Sequence, residues 1–134
     1  MKSEVPGTAR IFLLFCAIGL TPIALSYGAF PSLSLEALFG ITVEGTNLAH
    51  IMRAVMGLYL AMVSIWVAGA FIPGLCRPAL ICCAFFMLGL ACGRVLSIAV
   101  DGFPHWILIL YTVLEIILGT IAIILLREPE KKGI

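Results

Sequence analysis

The chain has 134 residues, of which 63% are hydrophobic and 11% charged, and its mean hydropathy is +1.21. A soluble domain of this size leaves much of its surface in water and has no means of hiding so much apolar area, so the chain reads as one small integral-membrane bundle. A net charge of +1 with no dense basic run gives no footing for nucleic acid as a partner.

Four apolar runs are long enough to cross a hydrocarbon core of about 30 Å, which takes roughly 20 residues. They cover residues 11–29, 48–72, 78–100 and 106–126. The first run has some features of a signal sequence: Lys2 and Arg10 precede it, and Ser26-Tyr27-Gly28 is a tolerable cleavage context. Its apolar stretch outlasts a signal core, however, and reads as a span. Pro22 is expected to kink it, with Thr21 or neighbours satisfying the freed carbonyl. The second run ends at Pro73-Gly74, and Pro78 is expected to open the third as a first-turn proline. Arg127-Glu128-Pro129 stops the fourth.

The connections differ in character. Residues 30–47 form the one long link, and its middle is too apolar for a free loop. A short helix at Leu35–Phe39 lying on the membrane surface is expected there. The links at 73–77 and 101–105 are tight, which makes the last three spans antiparallel neighbours. No clear internal repeat is visible.

Lys and Arg outside the spans set the orientation. Lys2, Arg10, Arg77, Arg127, Lys131 and Lys132 fall on one side; Glu36, Glu44 and Asp101 fall on the other. The expected fold is therefore an all-α, four-helix transmembrane bundle with both termini cytoplasmic, in a bacterial inner membrane.

Cys16, Cys82, Cys83 and Cys92 lie inside apolar runs, and Cys76 is placed in a connecting loop. No CxxC or Cys/His spacing suggests a metal, so the cysteines read as small packing residues.

Arg53, Arg94 and Glu115 are ionisable residues inside predicted spans, where a charge usually has a partner and often a function. At 1.5 Å per residue they lie ~8, ~9 and ~13 Å below the outer surface. Three helices thus deliver two guanidinium groups and a carboxylate to similar depth, with Asp101 at the mouth. Asn47, His50, Arg53 and Gly57 share a stripe of the second span; Arg94, Ser97 and Asp101 share one on the third. Tyr111, Thr112, Glu115 and Gly119 share a face of the fourth. Gly57, Gly89, Gly93 and Gly119 are expected helix-packing positions, with Gly89, Gly93 and Ser97 at small-xxx-small spacing.

Two readings of this cluster stand side by side. If Asp101 and Glu115 both pair with Arg53 and Arg94, the network is neutral and pins the bundle register. If Asp101 stays in solvent, the core carries one excess positive charge and suits a carboxylate, phosphate or lipid headgroup. A glutamate poised between burial and arginine could also carry a proton. His50 and His105 read as interfacial residues, and no spacing supports metal or haem. Trp106, Tyr27 and Tyr111 read as interface anchors, whereas Trp66 lies deeper and packs.

Two segments carry a family resemblance. They are Arg53-Ala-Val-Met-Gly57-Leu-Tyr59 and Gly93-Arg94-Val-Leu-Ser97-Ile-Ala-Val-Asp101-Gly102-Phe-Pro104, followed by Glu115 and Gly119. They resemble a family of small bacterial four-helix membrane proteins described only as a domain of unknown function. A looser likeness, in architecture, is to DoxX-like membrane proteins. The resemblance implies a four-helix inner-membrane fold and no particular activity.

The function expected from these residues is that of a non-enzymatic accessory or interaction protein without a cofactor. Its partners would be the lipid bilayer, an anionic lipid or small anion, and further copies or a larger membrane complex. The alternative is a small proton-coupled transporter or channel using Glu115. A third is a membrane-embedded lipid-modifying enzyme, although no nucleophile–base pair or phosphate loop is apparent.

Overall fold

The structure, a computed structural model, describes residues 4–128. Among these residues there are five helices and no strand: α1 (Gly7–Gly28), α2 (Pro31–Phe39), α3 (Gly45–Phe71), α4 (Pro73–Asp101) and α5 (Trp106–Arg127). All but α2 are long and apolar enough to cross a membrane, and the chain is a multi-pass membrane protein. Their outward faces carry Ile11, Phe15, Ile18, Leu58, Phe85 and Ile124, all largely exposed, as lipid contact requires.

Proline chemistry sets the sharpest corner. Pro73 disfavours helical geometry in the residue before it, so Ile72 is extended (φ −109°, ψ 109°) and alone separates α3 from α4. This corrects the expected boundary: α4 opens at Pro73, and Pro78 lies inside it. Cys76 is accordingly buried in the first part of a helix rather than placed in a loop. In α1, Thr21 donates to the Ala17 carbonyl at 2.7 Å, not to the Ile18 carbonyl that Pro22 leaves free.

The short helix is longer than its apolar residues suggested. Pro31 starts it at a position where a missing N–H does no harm, and Gly40, at φ +66°, ends it in the left-handed region. Pro31 and Leu35 are buried against the bundle, so α2 lies across its end.

The helices pack as two pairs. α1 lies chiefly on α3, α4 on α5, and α3 joins the pairs through α4; α1 and α5 touch little. An arginine fastens each pair at one end. Arg10 of α1 donates through Nε to the Ala70 carbonyl of α3 at 3.0 Å, and Arg77 of α4 donates through Nη1 to the Leu126 carbonyl of α5 at 3.2 Å. Both acceptors belong to the last turn of a helix, where carbonyls lack intrahelical partners and carry partial negative charge. With Arg127 at the same level, this is the basic end of the bundle. Glu36, Glu44 and Asp101 mark the acidic end. Lys2, Lys131 and Lys132 lie outside the described residues.

The basic half is tightly filled. Leu13, Trp66, Ala70, Ala79, Cys83 and Ala122 have no exposed surface. Gly28, Gly69 and Gly119 are the glycines that allow close helix approach: a Cβ would overlap Met56 at Gly28, Ala79 at Gly69 and Leu88 at Gly119. The expectation for Gly119 thus fits. That for Gly57, Gly89 and Gly93 does not, since a Cβ at any of them would meet nothing within 4 Å.

Candidate functional site

Arg94 and Glu115 come from neighbouring antiparallel helices and meet in the acidic half. Arg94 donates through Nε to both carboxylate oxygens of Glu115, at 3.0 Å to Oε1 and 2.9 Å to Oε2. Their side chains are only 20% and 10% exposed. A charge-assisted bond between partly buried groups is stronger than its counterpart in water, because there is little solvent to screen it. It is also incomplete. The terminal nitrogens, Nη1 and Nη2, take no part in the pair, although they carry most of the guanidinium N–H groups.

Aromatic rings surround the charge. The guanidinium carbon lies 5.7 Å from the centre of the Tyr111 ring, within cation–π range. The Tyr27 phenol of α1 is a further hydrogen-bonding neighbour of Arg94. Tyr27 stacks on Phe39 of α2 (6.2 Å) and meets Tyr59 edge-on (5.7 Å). Phe39 also touches Tyr111 and His105 edge-on, so the ring of α2 closes the acidic end above the pair. Below it, Tyr59, Phe86 and Trp66 continue the contact chain into the core at 5.1 and 5.7 Å. Trp66 Nε1 is the buried side-chain polar atom that lacks a hydrogen-bond partner among the described residues.

Two hollows meet at Arg94. An open groove of about 440 Å³ runs between α3 and α4. Its sides are Met52, Val55 and Tyr59 of α3 and Tyr27 of α1; Gly89 and Gly93 of α4 form its floor, with Arg94 beside Gly93. A smaller, more enclosed cavity of about 140 Å³ lies between α1 and α5, which pack only loosely. Arg94, Glu115 and Tyr111 line it together with apolar side chains such as Leu20 and Leu118. Arg94 therefore borders the groove on one side and, with Glu115, the cavity on the other.

The structure separates the remaining expected site residues from this pair. Arg53 is exposed on α3 and has no ion pair or hydrogen bond among the described residues. Its Cα packs against Gly28 of α1. Asp101 ends α4 and accepts a hydrogen bond from the Ser97 hydroxyl at 2.9 Å, three to seven residues beyond Arg94 and at the exposed mouth. Thr112 is buried but donates to its own helix, at the Leu108 carbonyl. His50 is exposed on α3. His105 caps α5, its Nδ1 accepting from the Ile107 N–H at 3.4 Å. No group of three or more metal-ligating side chains occurs among the described residues.

Tyr27, Tyr59 and Phe39 are the site residues that sequence reasoning missed. Tyr27 read as an interface anchor because it ends a span. The available signal was an aromatic at the outer end of α1, at a depth similar to Arg94.

The sequence profile of the family described as Domain of unknown function (DUF4345) matches residues 8–126, which hold all five helices but for a residue at each end of the bundle. No curated protein and no solved structure matches the chain. A match over that much of the chain, on a bundle of four apolar helices, identifies this protein as a member of the DUF4345 family.

Proposed function

We propose that this is a non-enzymatic accessory protein of the inner membrane, with both termini cytoplasmic, whose Arg94 holds an anionic group near the outer face. The observation that carries this reading is the side-on pair. Glu115 fixes the guanidinium through Nε and leaves Nη1 and Nη2 outside the pair. Those nitrogens are the fork that binds carboxylate and phosphate in two-bond geometry. Glu115 then acts as the positioning residue, and the anion is a second acceptor for the guanidinium, beside the Tyr27 phenol.

Charge distribution supports the orientation. Arg10, Arg77 and Arg127 lie at one end, and Glu36, Glu44 and Asp101 lie at the other. The packing also favours a holding role over a carrier. A carrier needs a polar route to both faces, whereas the basic half beneath the pair is filled by fully buried Leu13, Trp66 and Cys83.

The test is calorimetric titration of inorganic phosphate into the purified chain in a neutral detergent. Binding that vanishes in Arg94→Gln and persists in Arg53→Gln supports the reading. Equal heats in all three proteins would sink it.

A further inference from the structure

The groove between α3 and α4 asks for an occupant of particular chemistry. Its volume of about 440 Å³ falls within the ~300–1,000 Å³ range of small-molecule sites. It is open, and exposed apolar side chains such as Ile51, Leu58 and Leu96 lie elsewhere on the same two helices. In a bundle that crosses a membrane, such an opening faces lipid rather than water. The walls are apolar but for the tyrosines, Ser97 and Arg94.

The floor is unusual for a helix–helix boundary. Gly89 and Gly93 are one turn apart, and neither is needed for close packing, because a Cβ at either meets nothing within 4 Å. A methyl group at either position would enter the open space of the groove. What the glycines leave is a channel that runs along α4 toward the guanidinium one residue beyond Gly93.

Charge narrows the choice further. Arg94 is the charged residue on the groove, and its terminal nitrogens are not used by Glu115. At the mouth, the Ser97 hydroxyl donates to the Asp101 carboxylate. That carboxylate repels an anion that stops at the surface and leaves the deeper guanidinium as the attractive point. N–H donors of a guanidinium at one end of an apolar channel are complementary to a molecule with an anionic head, sharing Arg94 with Glu115, and an apolar chain.

We propose that the α3–α4 groove holds one chain of an anionic membrane lipid, admitted sideways from the bilayer, with its headgroup on Arg94. The proposal rests on the anion-holding reading of Arg94 and adds to it the ligand class and the route of entry. The chain lies along Gly89 and Gly93 between Met52 and Val55 on one side and Leu90 on the other. The rings of Tyr27 and Tyr59 flank the junction of chain and head.

The experiment uses the full chain in phosphatidylcholine vesicles doped with phosphatidylglycerol bearing a photoactivatable acyl chain. After illumination, labelled peptides are mapped by mass spectrometry. Label concentrated on the residues around Met52–Val55 and Gly89–Gly93 is expected. Two variants separate its causes. Gly93→Leu fills the groove and is expected to lose that label. Arg94→Gln is expected to lose both the label and the calorimetric binding of inorganic phosphate, and a phosphatidylcholine probe in the unaltered chain to label the groove no more than the outer faces of α1 and α5.

Uniform label over all lipid-facing helices, with phosphate still bound in an Arg94-dependent way, would overturn the lipid assignment and leave the anion reading standing. Loss of phosphate binding as well would remove both. Disulfide-linked dimers of Gly93→Cys in vesicles, well above those the exposed Cys92 gives in the unaltered chain, would show that a second copy fills the groove and would also overturn the assignment.

Discussion

Arg94 reaches Glu115 sideways, through Nε alone, with both carboxylate oxygens within 3.0 Å of that one nitrogen. The pair thereby joins α4 to α5 and holds the guanidinium in place for a second partner. Removing the carboxylate should loosen both. Glu115→Gln is expected to destabilise the bundle by about 1–3 kcal/mol, between the ~0.6 kcal/mol typical of polar contacts in membranes and the ~3–5 kcal/mol of a broken buried pair. Unfolding in a mild-to-denaturing detergent series measures it. Unchanged stability would mean that the pair contributes nothing to register.

The glycines divide into two groups with opposite expected responses. Gly69→Ala and Gly28→Ala force a methyl into Ala79 and Met56, with backbone atoms of Leu75 and Arg53 close behind. Each is expected to destabilise by about 1–3 kcal/mol, the usual range for overpacking. Gly89→Ala and Gly93→Ala enter open space and should be neutral or slightly stabilising, because alanine is the better helix former by up to about 1 kcal/mol. The same detergent series ranks all four.

That division shows what sequence could and could not supply. Span lengths, the apolar short helix and the intramembrane charges are legible because each is a local property of the chain. Contact between helices is not. Gly89, Gly93 and Ser97 have the spacing of a packing seam, yet a Cβ at either glycine would meet nothing; Gly69 lies in no such pattern and is a true contact. Arg53 likewise shares depth with Arg94, but depth does not determine the direction of a side chain around its helix. Arg53 faces outward, and only Arg94 and Glu115 meet. Pro78 read as the start of the third span, yet α4 opens at Pro73, because the single extended residue Ile72 suffices to turn the chain.

The two arginine fasteners at the basic end should be separable from the site. Arg10→Ala and Arg77→Ala each remove a hydrogen bond to an unsatisfied helix-end carbonyl and are expected to destabilise by about 1–2 kcal/mol. Phosphate binding should be unchanged, since both lie at the opposite end from Arg94. Calorimetry beside the unfolding series checks this independence.

Orientation has its own measurement. A cysteine at Glu44, in the link between α2 and α3, should react with a membrane-impermeant maleimide in intact cells, above the background of the unaltered chain. Reaction only after permeabilisation would reverse the assignment of the two ends.

The account turns on the free side of the Arg94 guanidinium, and an experimental density map of the protein in phosphatidylglycerol nanodiscs addresses it most directly. The expected map shows Glu115 on Nε and elongated density in the α3–α4 groove, its broader end against Nη1 and Nη2. A guanidinium turned so that both terminal nitrogens lie on Glu115, beside a groove without ordered density, would contradict it.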